Sequence, residues 1–181
     1  MILPIYIYGH PVLRKPCLPI DSSYNNLDQL IDNMFETMQN ANGIGISAPQ
    51  VGLSIRLFLV DLTLYDDPNI PCIKKVFINP EITEEFGELE KQNEGCLSIP
   101  GIRSDVIRKN KIKVKYYDKH FKLIFDELDG LYARVFQHEY DHLNGVLFFD
   151  HLIPLDKNIV NRKLKPILKG KFEELYPVIK N

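Results

Sequence analysis

A chain of 181 residues with 45% hydrophobic content is long enough for one domain with a sizeable core and short for two. Its 22 Lys and Arg against 24 Asp and Glu leave a formal charge of −2, which gives no bulk electrostatic footprint for specific DNA binding or for an anionic membrane. Three cysteines, Cys17, Cys72 and Cys96, are an odd number in a chain too large to need disulfide staples, which points to a reducing compartment.

The apolar N-terminus lacks a basic flank and is interrupted by Pro4, Gly9 and Pro11, which does not suit a signal peptide. No run approaches the ~18 apolar residues of a spanning helix, so the reading is a cytoplasmic protein without a membrane partner. No repeat, low-complexity tract or linker divides the chain, and residues 1–181 are expected to form a single domain. Leu27, Leu30, Ile31, Met34, Phe35 and Met38 follow the spacing of a core-facing amphipathic helix, with Ser22, Ser23 and Asn25 as N-cap chemistry and Asn42-Gly43 as the stop. Residues 55–60, 76–82, 111–117 and 121–127 are rich in β-branched and aromatic side chains and predict strands, the last two joined by a hairpin connection.

Past Asp129-Gly130, the residues Leu131, Val135, His138 and His142 share one helical face, and Asn144-Gly145 suits a left-handed cap. A last helix is expected over 155–175, kinked or restarted at Pro166. Strands in the middle and helices near both ends indicate an α+β fold, with mixed or antiparallel sheets packed around the central histidine-bearing helix.

The strongest chemical signal is His138-Glu139-Tyr140-Asp141-His142. The i, i+4 spacing stacks two imidazoles one turn apart, where both can bind one ion, and Glu139 is placed to reach a water on that ion without being a ligand. Two imidazoles hold a catalytic ion weakly, and sites of this type use three protein ligands. A metzincin would place a third histidine where this chain has Phe148, which cannot ligate. A thermolysin-like site would draw on Glu173 or Glu174, in a charged stretch that reads as solvated helix. Upstream stands Cys96, whose bland reading is a small buried hydrophobe. Gly43 and Gly45 do not form a phosphate loop, because no Lys-Ser or Lys-Thr follows; they suit close backbone approach instead.

The segments Gly43-Ile44-Gly45-Ile46-Ser47-Ala48-Pro49-Gln50-Val51-Gly52, Glu94-Gly95-Cys96-Leu97-Ser98 and Gln137-His138-Glu139-Tyr140-Asp141-His142 occur in that order. Together they resemble the three signature motifs of the peptide deformylases; Ser47 stands where the family more often has alanine. The resemblance implies removal of the formyl group from the N-terminal formyl-methionine of nascent polypeptides, with release of formate. It implies Cys96, His138 and His142 as ligands of one divalent metal ion, iron(II) (Fe2+) in the native state, with Zn2+, Ni2+ or Co2+ able to replace it. A thiolate and two neutral imidazoles would leave such an ion one formal positive charge, enough to acidify a coordinated water.

Glu139 is then the general base, and by resemblance the side-chain amide of Gln50 and the backbone N–H of Leu97 receive the developing oxyanion. Ile44 and Gly95 would pair an extended peptide by strand addition, with Gly45 allowing its close approach. Ile44, Leu131 and Val135 would line the methionine pocket, and Arg134 would mark its rim. Glu94 and Arg103 match a charged pair bracing the Cys96 loop, and Gln137 and Asp141 are candidates for orienting the imidazoles. Lys157, Arg162, Lys163, Lys165, Lys169 and Lys171 suit docking on ribosomal RNA as well as they suit a solvated helix face. Two rivals remain. A zinc endopeptidase would not need Cys96, and a non-catalytic metal-stapled module would close the coordination with His120 or His151.

Overall fold

Strand β3 (Leu57–Asp61) is buried at every position because the sheet that contains it is covered on both faces. Its alternation assigns Phe58 and Val60 to one core and Leu57 and Leu59 to another. The first core is closed by helix α2 (Gly130–Leu143) through Val135 and Phe136; the second is closed by helix α1 (Leu27–Asn40) through Ile31, Met34 and Met38. Phe58, Phe77 and Phe136 meet with ring centroids 4.8–5.1 Å apart, so the helix bearing the histidines is anchored by aromatic packing.

The computed structural model describes residues 1–65 and 67–180. Strands β2 (Gly45–Ser47), β3, β4 (Lys74–Cys96), β5 (Ile99–Tyr117) and β6 (Leu123–Asp129) form one antiparallel sheet in chain order. Strands β1 (Ile5–Tyr6) and β7 (Val178–Ile179) form a separate parallel pair. Helix α3 (Pro154–Leu168) packs Val160, Leu164 and Ile167 against Ile102 and Val106 of β5 and against Phe148 and Phe149, making a third core. The architecture is the expected α+β arrangement of antiparallel strands and three helices.

Several local expectations are corrected. The strand predicted over 76–82 is the start of the 23-residue β4, and that predicted over 111–117 is the end of the 19-residue β5. Between Glu81 and Asn93 no residue of β4 is buried, so this arm of the outer hairpin leaves no alternating apolar pattern to read. Register shifts break the ladder further, with Asn79 at φ 47° and Gly87 at φ 75° among the bulged positions. Helix α1 begins after Asn26 with no side-chain cap, so Ser22, Ser23 and Asn25 do not cap it, and Asn42 rather than Gly43 takes the left-handed conformation at its end. The last helix stops at Leu168, with Pro166 in its final turn and Gly170 at φ 67°, and does not reach Leu175.

Gly145 ends α2 as expected, at φ 71°, and a Cβ there would stand 2.5 Å from the backbone oxygen of Arg14. Both the backbone conformation and the contact oppose a side chain, so Gly145→Ala should destabilise the protein by ~1–3 kcal/mol, lowering Tm by roughly 2–10 °C. Thermal denaturation checks this, and an unchanged Tm would contradict the packing described.

Candidate metal centre

Three segments meet at the centre. Helix α2 brings His138 and His142, with ring centroids 5.1 Å apart on successive turns. The tip of the β4–β5 hairpin brings Cys96, which pairs with Ile99 across a turn formed by Leu97 and Ser98. Cys96 Sγ lies 3.2 Å from His142 Nε2, and the ligand atoms of Cys96, His138 and His142 all lie within 4.8 Å of one another. The hairpin tip is tied down on both sides: Tyr8 N donates to Ser98 O at 2.8 Å, and Tyr176 Oη donates to Leu97 O at 2.6 Å.

The third segment is β2 and the short 3-10 turn Ala48–Val51. Gln50 is buried there, its Oε1 accepting from Ser47 N at 2.8 Å and from Ser47 Oγ at 3.0 Å. With two donors fixing the oxygen, the amide must present Nε2 on the other side, where it stands 3.5 Å from Cys96 Sγ. A Cβ on Gly45 would lie 2.5 Å from Glu139 Oε1, so the glycine is what lets the β2 backbone approach the carboxyl.

Glu94 is the electrostatic hub of the site. Its Oε1 accepts from Arg108 Nε at 2.7 Å and from Arg134 Nη1 at 2.9 Å; its Oε2 accepts from Arg108 Nη2 at 3.0 Å and lies 3.0 Å from His138 Nδ1. Burial disfavours the charge on Glu94, but the bonds from His138 and Arg108 outweigh it and hold the carboxyl well below the usual carboxylate range. The partner expected for Glu94, Arg103, is bound to Asn93 instead, through Nε at 2.7 Å and Nη2 at 2.9 Å. The register explains the correction: Arg103 stands opposite Gly95, one position out of phase with Glu94, whereas Arg108 stands opposite Glu90 on the same face as Glu94.

Arg134 borders the cavity as expected, but it is only 5% exposed and its guanidinium is spent on Glu94, on Val106 O at 3.1 Å and on Glu90 O at 2.6 Å, so it is no free cation there. Gln137 donates to the carbonyls of Lys109 and Ala133, and Asp141 accepts from Arg108 and meets His151 at 2.7 Å. Neither touches His138 or His142, contrary to the expectation that they orient the imidazoles. Phe148 packs on the His138 ring at 6.3 Å, and Glu174 pairs with Lys180. Among the described residues the one potential metal-ligating group is Cys96, His138 and His142, without His120, His151, Glu173 or Glu174.

Glu139 is buried, and its Oε2 has no hydrogen-bond partner. Burial pushes its pKa up to about 7, against the pull of the neighbouring His138 and the Ser47 hydroxyl. His138 is pressed down by burial but raised well above the imidazole range by Cys96 and Glu94, while burial and His138 bring His142 down to about 3. One sulfur and two imidazole nitrogens suit iron, zinc, nickel or cobalt, and the orphaned carboxyl oxygen beside them needs a proton donor such as water. The residues present therefore fit a bound metal.

The centre opens into a cavity of about 610 Å³ that Ile44, Gly45, Gln50, Gly95, Leu97, Leu131 and Val135 all border. Sequence reasoning missed Arg108 and Tyr176. Arg108 could be found only through the strand register, and Tyr176 carries no local signal.

A family model described as polypeptide deformylase matches residues 2–158. The peptide deformylase of Cytophaga hutchinsonii is 46% identical over 176 residues, covering 97% of this chain and 96% of its own length. That of Flavobacterium johnsoniae is 49% identical over 184 residues, covering 96% and 94%. Among solved structures, the peptide deformylase of Thermotoga maritima aligns with a TM-score of 0.77 and 44% identity over 85% of this chain and 99% of its own. Peptide deformylase 1B of Arabidopsis thaliana, crystallised with an inhibitor, aligns with a TM-score of 0.84 and 38% identity over 93% and 91%. With its matched motifs gathered around one centre, the chain belongs to the polypeptide deformylase family.

Proposed function

We propose that Cys96, His138 and His142 hold the divalent metal with which this chain hydrolyses the formyl amide of N-formyl-methionine on nascent polypeptides, releasing formate. The observation that supports this most is the gathering of one sulfur and two imidazole nitrogens within 4.8 Å, beside a buried carboxyl with one unpartnered oxygen, on the wall of a cavity of about 610 Å³. When bound, the ion supplies Lewis acidity and makes water a nucleophile near neutral pH. Iron(II) is the native ion in this reading, with zinc, nickel or cobalt able to replace it on the same donors.

The chain's own residues then divide the work. Cys96 binds as thiolate, and Glu94 fixes the His138 ring through Nδ1, leaving Nε2 for the ion. Glu139 takes a proton from the attacking water and returns it to the departing amine nitrogen, a task suited to a buried carboxyl with one unpartnered oxygen beside the ligands. Gln50 Nε2 and the Leu97 N–H receive the negative charge that develops on the formyl oxygen. The methionine side chain enters between Ile44, Leu131 and Val135, and the extended peptide lies along the backbone of Ile44, Gly45 and Gly95, all of which border the cavity.

We extend the proposal to a single cytoplasmic catalytic domain over residues 1–181. Among the described residues no helix is long and apolar enough to cross a membrane. Helix α3 turns Val160, Leu164 and Ile167 inward and leaves Arg162, Lys163 and Lys165 exposed, a basic face suited to docking on ribosomal RNA near emerging chains.

Formate release from a formyl-Met peptide by the metal-loaded protein tests the reaction, and no release would refute it. Glu139→Ala should abolish turnover while metal content, read by atomic absorption, stays at the parent level; retained activity would remove Glu139 as the base. Gln50→Ala should lower kcat by about 10²–10³ and barely change metal affinity, and an unchanged kcat would sink its oxyanion role. Glu94→Gln takes the carboxylate charge from Arg134, leaves Arg108 with Asp141 alone, and loosens the His138 ring. It should weaken metal binding roughly 10- to 100-fold in a chelator competition, and parent-like retention would show that Glu94 does not orient the ligand.

A further inference from the structure

The segment that follows α3 lies beyond the family match, which ends at residue 158. It reverses at Gly170 and returns along the N-terminus, where Ile5 N donates to Pro177 O at 2.9 Å and Ile7 N to Ile179 O at 3.0 Å. On the way, Leu175 and Tyr176 come to border the cavity that holds Glu139. The Tyr176 ring packs in the cluster that contains Leu97, Val51 and Leu53, and its hydroxyl donates to Leu97 O at 2.6 Å. Burial pushes the phenol up to about 12, so it remains a donor across the working pH range.

Leu97 occupies a position that needs such a restraint. It lies with Ser98 in the turn between the paired residues Cys96 and Ile99, outside the ladder that fixes its neighbours. Cys96 is set by its strand pairing, and the next carbonyl, Ser98 O, is held by Tyr8 N at 2.8 Å. The Leu97 carbonyl is held only by Tyr176 among the described contacts. Anchoring that carbonyl fixes the Leu97–Ser98 peptide plane, and the Cys96–Ile99 pairing holds the residue before it; with both sides held, the intervening Cys96–Leu97 peptide, which carries the Leu97 N–H, has less freedom to turn away from the cavity. Preorganised donors contribute to catalysis because they need no reorientation when charge develops.

We propose that Tyr176 is a positioning residue for the reaction: from a C-terminal segment beyond the matched family model, it holds the Leu97 carbonyl and so steadies the Leu97 backbone, keeping the N–H of the preceding peptide aimed at the formyl oxygen. This rests on the deformylase reading above, in which Leu97 is an oxyanion donor. The segment 171–179 is thereby part of the active site's wall and frame as well as a cover for the N-terminal strand.

Tyr176→Phe keeps the ring and its packing and deletes only the hydroxyl. In the full-length, metal-loaded protein it should lower kcat for a formyl-Met dipeptide about tenfold, with KM within about twofold of the parent and metal content unchanged. An unchanged kcat overturns the inference, whether or not Tm falls, because that is the result of a purely structural bond. A fall in kcat that tracks loss of metal overturns it too, since the loss would then run through the ligands. Tyr176→Leu, which also removes the hydroxyl, should reproduce the kcat loss if the phenylalanine variant is poorly folded, and parent-like turnover in it counts against the proposal. Failure of the parent protein itself to release formate would sink the deformylase reading, whereas normal parent turnover with unaltered variants would sink this inference alone.

Discussion

The site depends first on a carboxylate that is not a ligand. Glu94 is buried between two guanidinium groups and an imidazole, with Arg108 in two-point contact, Arg134 on the same oxygen as Arg108 Nε, and His138 on the other. Removing a carboxylate and two cations from water is costly, and such clusters contribute little to net stability compared with apolar packing. What this one contributes is geometry. It connects β4, β5 and α2 at one point, one residue from the cavity-lining Gly95 and two from Cys96, so the hairpin tip and the histidine helix cannot shift independently. Asp141 carries the network outward from Arg108 to His151.

Around that hub, each donor is delivered by an element whose position is set elsewhere. Helix α2 is fixed by Phe136 against Phe58 and Phe77 on its far side as well as by Glu94 at the ligand face. The turn carrying Gln50 is fixed by Pro49 within it and by the Ser47 bonds that orient the amide. The hairpin tip is fixed by its own ladder and by the two bonds from Tyr8 and Tyr176. A catalytic group held in this way loses little time searching for its reactive geometry, which is the basis of preorganisation. Gly45 supplies the complementary feature, an absent side chain that allows strand and carboxyl to approach.

The parts of this arrangement that were legible in the sequence are those whose geometry is local. Two histidines at i and i+4 must share a helical face, and Glu139 between them must lie within reach of what they bind. The three motifs added Cys96, Gln50 and Leu97, and the fold class followed from periodicity. Interactions decided by register were not legible. Arg103 and Arg108 are both arginines a few residues past Cys96, and only the pairing of β4 with β5 decides that Arg108 reaches Glu94 while Arg103 faces Asn93. The outer arm of β4 was hidden because that strand buries nothing between Glu81 and Asn93. Arg134, on the helix face turned to Glu94, reads in sequence as any exposed cation would. Tyr176 acts some 79 residues from its acceptor, a contact that no local pattern encodes.

The central claim is that one ion is held by the sulfur of Cys96 and the imidazoles of His138 and His142. X-ray absorption spectroscopy on protein reconstituted with one equivalent of zinc reads this most directly. The account predicts a first shell with one sulfur and two imidazole nitrogens, completed by a lighter oxygen scatterer. A shell without sulfur would contradict it, and so would one closed by four protein ligands.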